Sequence, residues 1–148
     1  NLLNEIIETF KETSSKKVVL NSDKDDKKFQ FQRSPELIYG LRNFIGNAVK
    51  FAKSTVEIKI KSNQKNLEVS IIDDGPGFPD DIIEILGEPY IKSKSTTVKS
   101  NAGTGLGTFL GKTLLERKSA RLHFSKDNEL GGASVNIVWN QIDLQSNV

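Results

Sequence analysis

Leu2, Leu3, Ile6, Ile7 and Phe10 recur at helical spacing, with Glu5, Glu8, Lys11 and Glu12 on the opposite side, which predicts an amphipathic helix over residues 1–13 lying on a core. The period then drops to two. Val18, Val19 and Leu20, followed by Phe29 and Phe31 alternating with Lys28, Gln30 and Gln32, predict two short strands paired as a hairpin around the charged turn Asp23 to Asp26. Ser34-Pro35-Glu36 is an N-cap with proline at the first helical position, opening a second, largely buried helix that carries Leu37, Ile38, Leu41, Phe44, Ile45, Val49 and Phe51. Val56, Ile58 and Ile60 alternate with charged residues, Asn63 to Asn66 turns, and Leu67, Val69 and Ile71 alternate again, so these are paired antiparallel strands. A short helical stretch runs from Asp80 to Leu86. A long polar loop follows from Gly87 to Ala102, then a third helix from Thr104 to Lys118 and two closing strands carrying Leu122, Phe124, Val135, Ile137 and Trp139.

Composition narrows the chemistry. The chain has 148 residues, 36% of them hydrophobic and 27% charged, which describes one globular domain over 1–148 with a tail at about 141–148. The absence of cysteine excludes thiolate zinc sites, disulfides and cysteine nucleophiles, and a lone histidine excludes HExxH-type metal sites. A net charge of +2 leaves no electrostatic footprint for nucleic acid. No apolar run is long enough to cross a membrane, so no membrane contact is expected. The chain begins at Asn1 and has no methionine, which reads as a piece of a longer protein.

Two glycine clusters are placed where backbone can approach a ligand: Asp73-Asp74-Gly75-Pro76-Gly77 after a strand, and Gly103-Thr104-Gly105-Leu106-Gly107 before a helix. Glycines at a helix start expose amides to an anion, and the helix dipole aims positive charge at it. The second cluster matches neither dinucleotide nor Walker A spacing, and the same glycines serve equally as turns. On the second helix Asn43, Asn47 and Lys50 lie at i, i+4 and i+7, one face carrying two amides and an ammonium. Asparagine disfavours helix interiors. Two readings account for the pair: carbonyl oxygens completing a Mg²⁺ shell beside a polyphosphate, or side chains capping a nearby loop.

Taken in order, these motifs make the chain resemble the ATP-binding catalytic domain of sensor histidine kinases, within the GHKL superfamily that includes gyrase, MutL and the heat-shock chaperone ATPases. Asn43 to Phe51 resembles the N box, Asp73 to Gly77 the first glycine box, Gly87-Glu88-Pro89-Tyr90 the F-box region, Gly103 to Gly107 the second glycine box and Gly131-Gly132-Ala133 a final one. Gly87 to Tyr90, Lys112 to Arg117 and Val138-Trp139 are similar to the RegB/PrrB redox-responsive subgroup. The resemblance implies a two-layer α/β sandwich, the Bergerat fold, with a mixed sheet of about five strands covered on one face by three helices. It also implies roles. Asn47 ligates Mg²⁺ with Asn43 beside it, Lys50 contacts phosphate, Phe51 packs on adenine and Asp73 accepts from the adenine amino group. Gly75, Gly77, Tyr90, Gly103, Thr104, Gly105, Leu106 and Gly107 complete the ATP site, and residues 87–102 form a lid with Lys92, Lys94 or Lys99 meeting the γ-phosphate. Asp73 as a plain turn cap is the competing reading.

The hydrolases of this superfamily carry a water-activating Glu four residues before the metal-binding Asn, and here that position is Asn43, which takes no proton at neutral pH. The resemblance therefore favours a kinase with Asn43 and Lys50 as its catalytic pair. The phosphoacceptor histidine lies on a dimerisation helix outside this chain, because His123 sits in a strand and is followed by Phe124. Implied partners are that dimerisation domain and a response regulator, and the implied setting is the cytoplasmic portion of a membrane-anchored bacterial sensor. Thr104, Asn101-Ala102 and Asn140 depart from the family pattern, which leaves open a degenerate interaction module or a GHKL ATPase.

Overall fold

The computed structural model describes residues 2–22, 34–62, 65–77, 102–125 and 130–140, with 102–107 described by their backbone alone. In chain order these form α1 (Leu2–Thr13), β1 (Lys17–Ser22), α2 (Pro35–Phe51), β2 (Thr55–Ser62), β3 (Asn66–Asp73), α3 (Ala102–Arg117), β4 (Arg121–Ser125) and β5 (Ser134–Asn140). The strands make one five-stranded sheet in the order β1-β2-β3-β5-β4. Only β1 pairs parallel, with Val18 opposite Val56 and Leu20 opposite Ile58. The other three pairings are antiparallel. Parallel neighbours need a crossover, and α2 is that crossover.

The period-two pattern explains which face is covered. Val56, Ile58 and Ile60 on β2, Leu67, Val69 and Ile71 on β3, and Val135, Ile137 and Trp139 on β5 are all buried. They meet Leu3, Ile7, Leu41, Phe44 and Ile45 from the helices, giving two layers around one core. Phe124 on β4 closes this core against Phe44, with ring centroids 5.8 Å apart. His123, on the other face of β4, is exposed. The expected mixed sheet, its three covering helices and the β2–β3 hairpin are all present.

The expected hairpin of the first strand is not what β1 forms within the described residues: it pairs parallel with β2, and its expected partner at Phe29 and Phe31 lies outside them. The Asp80–Leu86 helix and the 87–101 lid also lie outside them. A second difference concerns α3, which begins at Ala102, so the Gly103–Gly107 cluster winds into its first turns instead of preceding it. Glycine in a helix costs about 1 kcal/mol relative to alanine, and packing farther along sets that cost aside. Buried Thr108, Gly111 and Leu115 lock α3 onto α2, where a Cβ on Gly40 would sit 2.6 Å from Leu115 Cγ and one on Gly111 3.2 Å from Asn43 Cβ.

α2 is closed at both ends. Ser34 Oγ accepts from the Leu37 N–H at 3.1 Å, with Pro35 at the first position, as its sequence predicts. At the other end the Ala52 N–H donates to Ala48 O, and the Lys16 ammonium donates to Val49 O at 2.6 Å and Lys50 O at 3.0 Å. The Val49 and Lys50 carbonyls have no backbone donor within the helix, and a cation there also complements the helix dipole.

Candidate functional site

Asp73 ends β3 and is buried to 4% exposure. Its Oδ1 accepts from the Gly75 N–H at 2.8 Å and the Ala133 N–H at 3.2 Å. The first bond is the Asx-turn of the competing reading, so Asp73 does cap its turn. The second ties it to the segment before β5. Burial holds the Asp73 carboxyl above the ordinary aspartate pKa, the two amides and the Lys16 charge oppose that rise, and neighbouring Asp74 adds to it.

Glycines make the socket around it. A Cβ on Gly75 would collide with the Phe51 carbonyl, and a Cβ on Gly132 would collide with Asp73 Oδ1 and lie 2.6 Å from the Gly75 nitrogen. Gly77 and Gly131 take positive φ values of 86° and 92°. Gly131-Gly132-Ala133, weak as a sequence signal, thus builds one wall of the Asp73 socket.

Asp74 turns the other way. Its Oδ1 accepts from the amides of Lys53, Ser54 and Thr55, and its Oδ2 accepts from Ser54 Oγ at 2.8 Å. Those donors hold its carboxyl far below the usual aspartate range. The turn from α2 to β2 is therefore fixed on the end of β3.

On α2, Asn47 Nδ2 donates to Thr108 Oγ1 at 2.8 Å and more weakly to Asn43 Oδ1 at 3.3 Å. Both amide hydrogens are committed, so the Asn47 carbonyl oxygen is the atom left to accept, and no described residue donates to it. The pair does not cap a loop among the described residues. Lys50 is exposed, with its Nζ 5.3 Å from the centre of the Phe51 ring, and Phe51 is 42% exposed. The structure thus brings Asn43 and Asn47 together on α2, and Phe51, Asp73 and Gly75 together at its C-terminal end.

Of the other expected site residues, Gly103, Thr104, Gly105, Leu106 and Gly107 contribute backbone at the start of α3, where the first four amides have no helical acceptor. Tyr90, Lys92, Lys94 and Lys99 lie outside the described residues. Sequence reasoning missed Thr108, Lys16 and the Ala133 amide. Thr108 had one available signal, a polar residue directly after the second glycine cluster on a face that must pack. The described residues hold no cluster of three acidic, His or Cys side chains for a metal, and no helix among them is long and apolar enough to cross a membrane.

A buried carboxylate at a strand end, glycines that let backbone close around it, and a helix face of amides define a GHKL-type nucleotide fold, and the chain belongs to that family: residues 32–144 match the histidine kinase-, DNA gyrase B-, and HSP90-like ATPase model. Within the family the chain is similar to the sensor histidine kinase RegB of Cereibacter sphaeroides, 37% identical over 130 residues, covering 78% of this chain and 28% of that protein. The chain spans 28% of the length of this relative. The autoinducer 2 sensor kinase/phosphatase LuxQ of Vibrio cholerae is 27% identical over 96 residues, covering 62% of this chain and 11% of that protein. Among solved structures, the catalytic domain of histidine kinase ThkA superposes with a TM-score of 0.72 at 18% identity, covering 95% of this chain and 92% of that one. At such identity the likeness speaks for the fold.

Proposed function

We propose that this chain is the catalytic, ATP-binding part of a sensor histidine kinase, which binds Mg-ATP and passes the γ-phosphoryl group to a histidine on a separate dimerisation helix. The observation that carries the reading is the Asn43–Asn47–Thr108 arrangement. Asn43, beside Asn47, bears an amide where a hydrolase needs a proton acceptor, so water is not activated there and ATP persists for transfer. Similarity to RegB and LuxQ supports the same class, and RegB similarity supports redox-responsive control, a homodimer through the dimerisation domain, a response regulator downstream and the cytoplasmic side of a membrane-anchored sensor.

The residues present fit the ligand. Asn47 offers a neutral carbonyl oxygen whose orientation is fixed by its own donor bonds, as a hard cation with several retained waters requires. When bound, Mg²⁺ supplies neutralisation of the phosphate charge. Lys50 is exposed and able to swing from Phe51 to a phosphate oxygen, and the early α3 amides offer donors to an anion. Asp73 accepts from the adenine amino group while Gly75 and Ala133 hold its other oxygen in place. Guanine presents a carbonyl oxygen there, facing a carboxylate.

A thermal-shift titration tests this reading. Mg-ADP at about tenfold over its Kd stabilises the chain by about 1.4 kcal/mol, a rise of a few degrees in Tm, while Mg-GDP leaves it unmoved. Incubation with Mg-ATP leaves the nucleotide intact. Absence of an ADP shift at saturation, or rapid release of phosphate from ATP by the chain alone, overturns the proposal.

A further inference from the structure

We propose that Lys16 is a positioning residue of the nucleotide site: its ammonium clasps the C-terminal carbonyls of α2 and so holds Lys50 and Phe51 against the Asp73–Gly75 corner. The inference rests on the nucleotide-site reading above and assigns a role to a residue outside the set expected to bind the ligand.

The geometry is a chain of ties. Lys16 follows α1, and its backbone is anchored on both sides, since its N–H donates to Ser14 Oγ at 3.1 Å and the Lys17 N–H donates to Ser54 O at 2.8 Å. Its Nζ takes the carbonyls of Val49 and Lys50, at 2.6 and 3.0 Å. The next carbonyl, that of Phe51, lies directly against the α-carbon of Gly75, where no Cβ can enter. Two successive carbonyls in the last turn of α2 are thus held by a cation, and the third packs closely against Gly75. From the far side, Asp74 holds the amides of Lys53, Ser54 and Thr55. A cation thus holds the carbonyls of the last turn of α2, and a carboxylate holds the amides of the turn that follows it.

The same ammonium acts on Asp73 through space. Among the described residues, Lys16 favours the ionised form of that carboxyl and Asp74 opposes it. Loss of Lys16 removes one charge that favours the ionised form, and two effects follow together: α2 loses its terminal tether, and Asp73 protonates at a higher pH. A protonated carboxyl is a poorer acceptor for the adenine amino group.

The experiment compares the wild-type chain with Lys16→Met, which keeps the aliphatic stem, Lys16→Gln and Lys16→Arg. The Asp73 carboxyl is followed by ¹³C NMR against pH without nucleotide, and Mg-ADP affinity is measured by calorimetry along the same series. In Lys16→Met and Lys16→Gln the Asp73 midpoint rises and ADP affinity at neutral pH falls about fivefold, its acid limb moving up with the carboxyl. Lys16→Arg restores both. An Asp73 midpoint and ADP affinity unchanged in the neutral variants, with wild type binding normally, sinks the Lys16 role alone, as does equal impairment of the Arg and Met variants. Failure of the wild-type chain to bind ADP removes the nucleotide reading and the positioning role with it.

Discussion

Thr108 on α3 accepts a 2.8 Å hydrogen bond from the Asn47 side chain on α2, across the close helix contact that Gly40 and Gly111 permit. This bond decides which end of the Asn47 amide faces outward. An asparagine without it can rotate by half a turn and present its donor to a cation, which is repelled.

Thr108→Val keeps the shape and removes the acceptor. The buried position makes the loss felt, at about 1 kcal/mol of stability. The sharper expectation concerns metal: the ratio of ADP affinities with Mg²⁺ and with EDTA falls several-fold, measured by calorimetry. An unchanged ratio means that the Asn47 carbonyl does not serve the cation.

Asp73→Asn separates binding from stability. ADP affinity drops by about 100-fold, the scale of a lost hydrogen bond to a charged acceptor. Folding behaves oppositely. The Asp73 pKa is raised in the folded chain, so the folded state binds more protons than the unfolded one between the ordinary value of 3.8 and the raised value. Stability from this group therefore falls as pH rises through that window, and the neutral amide avoids the penalty. Thermal unfolding at pH 7 without nucleotide should show Asp73→Asn at least as stable as wild type. A large loss of Tm would mean that the carboxylate serves structure first.

Gly131 and Gly132 form an internal control. Gly131 has φ of 92° and open space around a Cβ, so Gly131→Ala carries backbone strain of about 1 kcal/mol and leaves ADP affinity intact. Gly132→Ala drives a methyl into the Asp73 carboxylate and the Gly75 amide, which costs about 2 kcal/mol and abolishes ADP binding. Denaturant unfolding and calorimetry on both variants check the contrast, and equal effects on binding would refute the socket.

Asp74→Ala tests the turn between α2 and β2. Because its folded pKa is depressed, Asp74 contributes stability that is fully present above the ordinary value of 3.8 and is lost as pH falls toward the folded one. Asp74→Ala is expected to unfold about 1 kcal/mol more easily at pH 7. The gap from wild type should narrow below about pH 4, where the unfolded-state aspartate begins to protonate. A gap constant down to pH 2 would assign the effect to packing.

The fold was legible where one physical rule acted alone. Alternating β2, β3 and β5, the Ser34-Pro35 start of α2 and the apolar stripe of α1 each follow from spacing, and each appears where spacing put it. β1 was harder, because Val18, Val19 and Leu20 identify a strand without naming its neighbour, and the parallel partner is separated by the whole of α2. The start of α3 was misplaced because glycine propensity is local whereas the α2–α3 packing that winds those glycines into the helix is not. The same division holds at the site. Asn43, Asn47 and Asp73 are visible as polar residues in positions that disfavour them, but Lys16 is one of two adjacent lysines after a helix, and nothing local marks it as the one that reaches the carbonyls of α2.

The helix that carries Asn43 and Asn47 is also the covalent bridge between the only two parallel strands described, β1 and β2. Pairing strands so far apart in sequence is slow, since the chain between them must be ordered before the contacts repay it. A nucleotide therefore cannot act as an early template for this chain. Binding competence should emerge only in the last cooperative step of refolding, and a ligand added at the start should slow unfolding without speeding folding.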